Sequence, residues 1–359
     1  MAINATLAQV SNYLIYSAML VYTGAFIAYA AELAYGNSFI RRQAAVPGDV
    51  VGAGSGEQTV PSELVAVAGE ARSASSGGPA GGTSARRAAP TGAPSGSATD
   101  VYERPARADR VGRIGVSLTV LAFLLHAGAV LTRGLAAGRL PWGNMYEFNV
   151  AGALAVTGVF LALLVLGKPV RYLGLFVIGP VLLILGLAVT VLYTQAEQLV
   201  PALKSVWLGI HVTAAIVSMG LFTVGMVQTV LYLIQSHREK VAAAVRSPNF
   251  MDRLPSAAAL DRAAYRMHAF VFPLWTFAIV AGAIWAENAW GRYWGWDPKE
   301  TWAFITWVVY AGYLHARATV GWRGHKAAYI ALVGYGTILF NYLVVNIWIV
   351  GLHSYAGVS

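Results

Sequence analysis

The chain has 359 residues, of which 57% are hydrophobic and only 11% are charged, with a formal net charge of +9 and no cysteine. Soluble domains carry about 25% charged residues. The composition therefore excludes an ordinary soluble domain, and the lack of cysteine excludes disulfides and thiol redox chemistry.

Eight apolar stretches follow one another along the chain. A helix of about 20 residues crosses a hydrocarbon core of roughly 30 Å, and each stretch approaches or exceeds that length. They cover approximately residues 10–35, 113–132, 144–166, 172–194, 206–235, 266–288, 302–318 and 327–352. The runs are continuous and lack the alternation of a β-barrel. We therefore predict an all-α, polytopic membrane protein with about eight transmembrane helices.

The basic residues predict the orientation. Twenty of the 25 Lys and Arg fall in alternate connecting segments, 36–113, 167–171, 236–266 and 317–326. This is the bias of cytoplasmic loops, and it places both termini on the outer, periplasmic-type side. It also explains the net charge without a nucleic-acid partner. No Lys or Arg precedes Arg41, so the first run lacks the basic start of a signal peptide and is predicted to be retained.

Residues 43–103 are mostly Ala, Gly, Ser, Pro and Thr. Such a segment cannot bury enough apolar surface to offset the entropy of ordering. We therefore divide the chain into a first transmembrane helix (1–35), a largely disordered cytoplasmic linker (36–110) and a seven-helix membrane domain (111–356).

Tryptophan is concentrated in one outer segment, 285–302, which holds five of the eleven Trp residues. An interfacial aromatic belt would distribute Trp over many helix ends, whereas Trp290, Trp294 and Trp296 fall within seven residues. Asp297 is predicted to cap the helix that follows, because Pro298 suits a first helical position.

We expect this segment to form a flat aromatic shelf for a large planar apolar ligand. A porphyrin fits this description, with its propionates reaching a cation such as Arg292 or Lys299.

Five motifs carry a resemblance to a known family. The segment GRYWGWDPKETW (291–302) resembles the tryptophan-rich "WWD" signature of heme-handling proteins of cytochrome c biogenesis, and its DPKE continuation resembles the CcsA/ResC type. The similarity extends to LPWGNMYEF (140–148), WLGIHV (207–212), ITWVVYAGYLHAR (305–317) and VNIWIVGLHSYA (345–356). It covers residues 110–356 and leaves out the first helix and the linker.

The resemblance implies a function in the bacterial plasma membrane. Heme b, held non-covalently as substrate, would be moved to the outer face and presented to the CxxCH motif of apocytochrome c. The chain would be the catalytic half of a system II holocytochrome c synthase (heme lyase), with a separate ResB/CcsB-type partner subunit. The alternative is a heme exporter or delivery chaperone without attachment activity.

Seven histidines are candidates for heme iron, which commonly takes axial His. His211 and His353 are predicted at the outer ends of the fifth and eighth helices, at the depth of the Trp segment. In the family, the matching histidines ligate the heme iron at the outer site. The resemblance implies that the WWD residues Trp290, Trp294, Trp296 and Asp297 bind the same heme. Asn346 would share a helix face with His353, seven residues away.

His315 is predicted about 21 Å deeper than the outer end of its helix, too far to bind the same iron. The family assigns the matching histidine to a second, transmembrane heme site whose other ligand comes from the partner subunit. His126 lies at the wrong depth to be that ligand, whereas the depth of His268 does not exclude it. His237 and His325 are interpreted as solvated residues of inner loops.

Asn144 and Glu147 have the spacing of a helix capping box; a role in the outer pocket remains an alternative. Two further functions fit the sequence less well. A diheme b-type cytochrome pairs histidines 13 or 14 residues apart on one helix, a spacing that no two histidines of one predicted helix have here. A transporter of another solute is disfavoured, because the sequence has no inverted repeat.

Overall fold

The computed structural model describes residues 3–35, 106–197, 205–241 and 250–353. Within these ranges the chain is helical and contains no β-strand. The main helices are α1 (Ala5–Tyr35), α2 (Ala106–Ala137), α3 (Met145–Val165), α4 (Gly174–Thr190), α5 (Val206–Lys240), α6 (Ala257–Trp290), α7 (Pro298–Ala318) and α8 (His325–Leu339). Short 3₁₀ turns precede α4 (Arg171–Leu173) and α6 (Phe250–Arg253).

Helix α8 does not end as a regular α-helix. It continues as a π-helical segment (Phe340–Val345) and one final α-helical turn, α9 (Asn346–Trp348). Ile349 is extended, with φ −108° and ψ 116°. The predicted helix to residue 352 is therefore wrong at its end, and Asn346 and His353 do not share a helix face.

All eight predicted helices are present, and seven of them are long and apolar enough to cross a membrane. The exception is α7, whose 21 residues include Trp, Tyr, His and Arg. It packs antiparallel to α6: Arg317 pairs with Asp261 at 2.7 Å at one end, and Trp275 donates to the Ala303 carbonyl nearer the other. Helix α7 therefore runs back along most of the length of α6.

Several helices extend beyond the apolar runs that predicted them. Helix α2 begins at Ala106 instead of residue 113, and α6 begins at Ala257 instead of residue 266. Hydropathy identifies only the part of a helix that lies within the hydrocarbon layer. Polar turns outside that layer are also helical, so the predicted helices were too short. Most of the linker predicted at 36–110 lies outside the described residues.

The first helix is an integral part of the bundle. Tyr22 and Tyr29 of α1 are almost fully buried, and the Tyr29 hydroxyl lies 3.1 Å from Thr119 Oγ1 in α2. Near the opposite end of α1, Ser11 donates to the Ala129 carbonyl at 2.7 Å. Helix α1 therefore packs along most of α2, although it lies outside the family resemblance.

Candidate functional site

The Trp-rich segment forms the turn between α6 and α7, and Glu300 shapes it. The Glu300 carboxylate accepts hydrogen bonds from the backbone amides of Gly295 (2.9 Å) and Asp297 (3.0 Å). Arg292 lies 3.3 Å from the same carboxylate, and a Cβ at position 295 would overlap its guanidinium. The turn is thus held by an acceptor at 300, and a side chain at 295 would displace the Arg292 guanidinium.

Asp297 caps α7 as predicted, accepting from the Lys299 amide in a capping box completed by Glu300. The same carboxylate accepts from the Leu352 amide (2.7 Å) and from His353 Nδ1 (2.8 Å). Burial by itself would raise the pKa of Asp297, but the hydrogen bonds from His353 and Leu352 outweigh it and hold the pKa below its usual value. Asp297 is therefore an ionised acceptor at neutral pH.

His211 lies in the second turn of α5 and faces α6. Its Nδ1 is 2.7 Å from the Ala278 carbonyl oxygen, which can only accept, so Nδ1 carries the proton. The ring stacks over Trp285 at a centroid distance of 6.2 Å and an interplanar angle of 8°. A Cβ at Gly282 would lie 2.7 Å from the imidazole, so this glycine makes room for the ring.

His211 and His353 share one arrangement. In each ring, Nδ1–H donates a hydrogen bond to an oxygen. The acceptor is the Ala278 carbonyl for His211 and the Asp297 carboxylate for His353. No hydrogen-bond partner among the described residues reaches Nε2 of either ring. A neutral imidazole held in this way presents an Nε2 lone pair, as metal-ligating histidines do. Each of the two rings therefore has a nitrogen that can bind a metal ion.

Both histidines line a cavity of about 230 Å³ at this end of the bundle. A single water needs roughly 10–15 Å³ of such space, so the cavity has room for a much larger molecule. Its walls are mostly apolar and come from the turn before α3, from α3, α5, α6, the α6–α7 turn, the start of α7 and the end of α8. Besides the histidines, lining residues include Trp142, Phe148, Met219, Trp275, Trp294 and Asn346.

The tryptophans do not form the flat shelf that the sequence suggested. Trp290 meets His353 edge-to-face at 4.8 Å, and Trp294 and Trp296 lie at 88° to each other. Of these three, only Trp294 lines the cavity, whereas Trp296 is 64% exposed. The turn forces adjacent rings out of plane: Trp296 itself has φ +58°, a region that residues with side chains rarely occupy.

The two predicted cations differ in availability. Arg292 is paired with Glu300 and lies over the Trp290 ring at 5.9 Å. Lys299 lines the cavity, and its ammonium forms no ion pair with any described residue. Lys299 is therefore the cation available to an anionic group in the cavity.

The remaining histidines separate into buried and exposed ones. His126 is completely buried, with Nε2 2.9 Å from the Val150 carbonyl and Nδ1 3.4 Å from Tyr22, which is a structural role. His268 is also fully buried, packed among Phe222 and Tyr310. His315 is exposed on α7, away from the cavity.

His325 is not a simply solvated residue. It begins α8 and lies 3.0 Å from the Ser236 hydroxyl of α5, with Tyr232 beside its ring. His237 is exposed as predicted, but it lies in the last turn of α5 and not in a loop.

The Asn144–Glu147 pair also caps a helix. Asn144 accepts from the Glu147 amide at 2.9 Å, and the Glu147 side chain accepts from the Gly143 amide at 2.9 Å. Glu147 is buried between Arg133 (3.0 Å) and Arg139 (2.6 Å). Its carboxylate therefore fixes the 139–147 turn, whose residues form one wall of the cavity.

Sequence reasoning missed several residues of the site. Trp285 lies between the two histidines, 6.2 Å from His211 and 5.6 Å from His353. Its position at the start of the Trp-rich segment is the sequence feature that could have indicated it. Asn341 and Tyr342 of the π-helical segment also line the cavity, and no local pattern indicated that.

Comparison with known proteins identifies related chains. Residues 142–353 match the family described as Cytochrome C assembly protein. The cytochrome c biogenesis protein CcsA of Guillardia theta is 37% identical over 264 residues, covering 68% of this chain and 86% of that protein. CcsA of Chlamydomonas reinhardtii is 40% identical over 251 residues, 67% of each chain. CcsA of Synechococcus elongatus is 35% identical over 286 residues, covering 67% and 87%.

Proposed function

Since this chain belongs to the cytochrome c assembly family and functions in cytochrome c biogenesis, we propose that its cavity holds heme b between His211 and His353. The observation that carries the proposal is the matched tautomer of the two imidazoles. Each is fixed through Nδ1, and its Nε2 has no hydrogen-bond partner among the described residues at the common cavity. Two such nitrogens, one from α5 and one from the turn after α9, are the kind of axial ligands that a low-spin heme iron takes.

The cavity walls suit the rest of the heme molecule. Trp294 and Trp275 offer apolar ring faces and edges to a porphyrin, and Lys299 offers a cation to a propionate. The exposed Trp296 and Tyr293 mark the rim. The side chains at the rim would be the first to meet an arriving polypeptide.

The chemistry of attachment needs no nucleophile from this chain. Each thiol of the apocytochrome CxxCH motif adds across one heme vinyl: an S–C bond forms, the thiol proton ends on the other vinyl carbon, and the double bond becomes single. No electrons are gained or lost overall. The histidine of the motif then replaces His211 or His353 on the iron. The contribution of this chain is positioning and ligation.

The partner and the membrane are further parts of the proposal. His315 is exposed on α7, where another chain can reach it and supply a second iron ligand. We assign that role to a ResB/CcsB-type subunit and place the complex in a bacterial plasma membrane, with the cavity on the outer side. Heme would be received at His315 and moved to the outer cavity.

The test compares the wild type with the double variant His211→Gly and His353→Gly, each co-expressed with the partner subunit and an apocytochrome in a host without attachment machinery. The wild type should give a low-spin b-type spectrum and holocytochrome c. The double variant should lose both while remaining in the membrane. Normal holocytochrome in the double variant would refute the site, whereas bound heme without any attachment in the wild type would favour an exporter.

A further inference from the structure

Helix α7 carries a continuous exposed stripe made of Phe304, Val308, Gly312 and His315. Phe304 and Val308 are 40% and 47% exposed, and Gly312 and His315 are also exposed. The spacings of four, four and three residues put all four on one helix face. The stripe is about 16 Å long, at 1.5 Å per residue.

The Phe304 end of the stripe is continuous with the cavity. Phe304 lies 6.4 Å from Trp294 and 6.0 Å from Trp296, ring centroid to ring centroid, and Trp294 is part of the cavity wall. Phe304 also stacks parallel to Trp307, at 6° and 6.1 Å. An apolar aromatic surface therefore leads from the cavity wall onto the outside of α7. Its far end carries an imidazole.

The middle of the stripe has open space. A Cβ built at Gly312 would meet no atom within 4 Å. A glycine at this position leaves a shallow recess between Val308 and His315, where a flat molecule can lie close to the helix.

Among the described helices, the interior of the bundle offers no comparable passage. Below the cavity floor at Trp275, the rings of Phe222, His268 and Tyr310 pack at centroid distances between 4.3 and 6.1 Å. All three are fully buried. A Cβ at Gly225 would lie 2.8 Å from His268, so even one added carbon is not accommodated without a shift. A porphyrin would have to displace this entire cluster, against close packing.

We propose that heme moves between His315 and the outer cavity along the exposed α7 stripe, on the outside of the helix bundle. This inference rests on the proposed function, because it needs both heme positions. The stripe gives a planar apolar ligand a continuous surface, whereas the Phe222–His268–Tyr310 cluster closes the interior. The bundle can therefore keep its packing while the substrate passes.

A matched pair of glycines tests the route. Gly336 on α8 is exposed, and a Cβ added there, as at Gly312, would meet no atom within 4 Å. We expect Gly312→Trp, expressed with the partner subunit, to reduce His211-dependent heme absorbance and holocytochrome c at least tenfold, and Gly336→Trp to leave both unchanged. Heme and holocytochrome at wild-type levels in Gly312→Trp would overturn the route.

Covalent capture of heme by an introduced cysteine gives a second test, which does not require the route to be blocked. The chain has no cysteine, so a single introduced thiol is the only one in it that can add to a heme vinyl. Heme that survives denaturing electrophoresis is expected on Val308→Cys and Gly312→Cys, and absent from Gly336→Cys. Capture by Thr229→Cys, beside His268 in the interior, with none on the stripe would overturn the route.

The proposed function and the route can be refuted separately. A wild type without any His211-dependent heme would refute both together. Heme present at His211, with neither blocking nor capture on the stripe, would refute the route alone.

Discussion

Asp297 connects the Trp-rich turn to His353, the residue that we propose as an iron ligand. One carboxylate caps α7, accepts from the Leu352 amide and accepts from His353 Nδ1. If His353 binds heme as proposed, the aspartate of the signature acts on the substrate through His353, as carboxylates behind metal-bound histidines do. Its position before Pro298 is explained by the capping requirement, which places the carboxylate at the end of α7.

Replacing Asp297 by Asn should separate these roles. Asn is a good N-cap, so α7 should persist, but the charged acceptor for His353 Nδ1 is lost. We expect heme affinity to fall by roughly 10–100-fold, the usual effect of losing such a partner. Heme titration of the purified protein measures this. The control is Asp261→Asn, which removes a carboxylate at the other end of α7; equal affinities in the two variants would contradict the assignment.

The buried His268 shows how glycine placement supports a polar side chain inside the bundle. Gly225 and Gly334 provide the space for His268 and Tyr310, since a Cβ at either glycine would lie 2.8 Å from the neighbouring ring. A Cβ at Gly152 of α3, in contrast, would meet no atom within 4 Å, which makes this glycine a natural reference position.

We predict that Gly225→Ala destabilises the protein and that Gly152→Ala does not. Overpacking a dense core costs about 1–3 kcal/mol, whereas alanine in an open helical position is neutral or favourable. Unfolding in a mixed-detergent titration should show a lower midpoint for the first variant alone. Equal unfolding midpoints of the two variants would mean that the side chains around His268 can shift at little cost in free energy.

Among the helices, the end of α8 is decisive for the site. The π-helical segment (Phe340–Val345) inserts an extra residue into the turn, so the residues that follow face a different direction than in a regular helix. Asn341 and Tyr342 lie within this segment and line the cavity, and the chain leaves the helix at Ile349, so that His353 reaches Asp297.

Deleting Leu343 should convert this segment to a regular α-helix. A π-helical turn contains one residue more than an α-helical turn, so the later residues should keep their orientation and His353 its place beside Asp297. We expect this variant to retain the low-spin spectrum. Deleting both Leu343 and Val344 should rotate the later residues by about 100°, the angle per residue in an α-helix, and abolish the spectrum with normal membrane insertion; a double deletion with the wild-type spectrum would show that the orientation of the residues after this segment does not matter.

Across the molecule, α1 is fixed to the remaining helices by an ion network. Arg171, just before α4, lies 2.8 Å from Glu32 of α1 and 2.8 Å from Asp109 of α2. Tyr29 packs so closely that a Cβ at Gly174 would lie 2.6 Å from its ring. These contacts do not depend on residues 36–105, which connect α1 to α2.

The chain should therefore work when divided. Co-expression of residues 1–45 with residues 95–359 is expected to restore holocytochrome c formation. Arg171→Ala should weaken the docking by about 1–3 kcal/mol, between the values for exposed and buried pairs. This should abolish activity of the divided protein but not of the intact chain, where the connection keeps α1 at high effective concentration. An inactive divided protein with both fragments in the membrane would contradict this.

The number and order of the helices followed from the sequence alone, because a hydrocarbon core requires long apolar runs wherever the chain crosses it. The sequence also indicated the cap at Asp297 and the location of His211 and His353 at the level of the Trp-rich segment. These features are local or depend on residue type. Helix ends outside the apolar layer were less accurate, since polar turns continue α2, α5 and α6.

The assembly of the site, in contrast, came from tertiary packing. Packing placed Trp285 between the two histidines, paired Arg292 with Glu300 so that Lys299 is the cation at the cavity, and set the rings of the Trp-rich turn at steep angles. The relative positions of helix ends, the π segment of α8 and the contacts between helices produce this arrangement. These contacts join residues far apart in the chain, and local sequence carries no information on such distances.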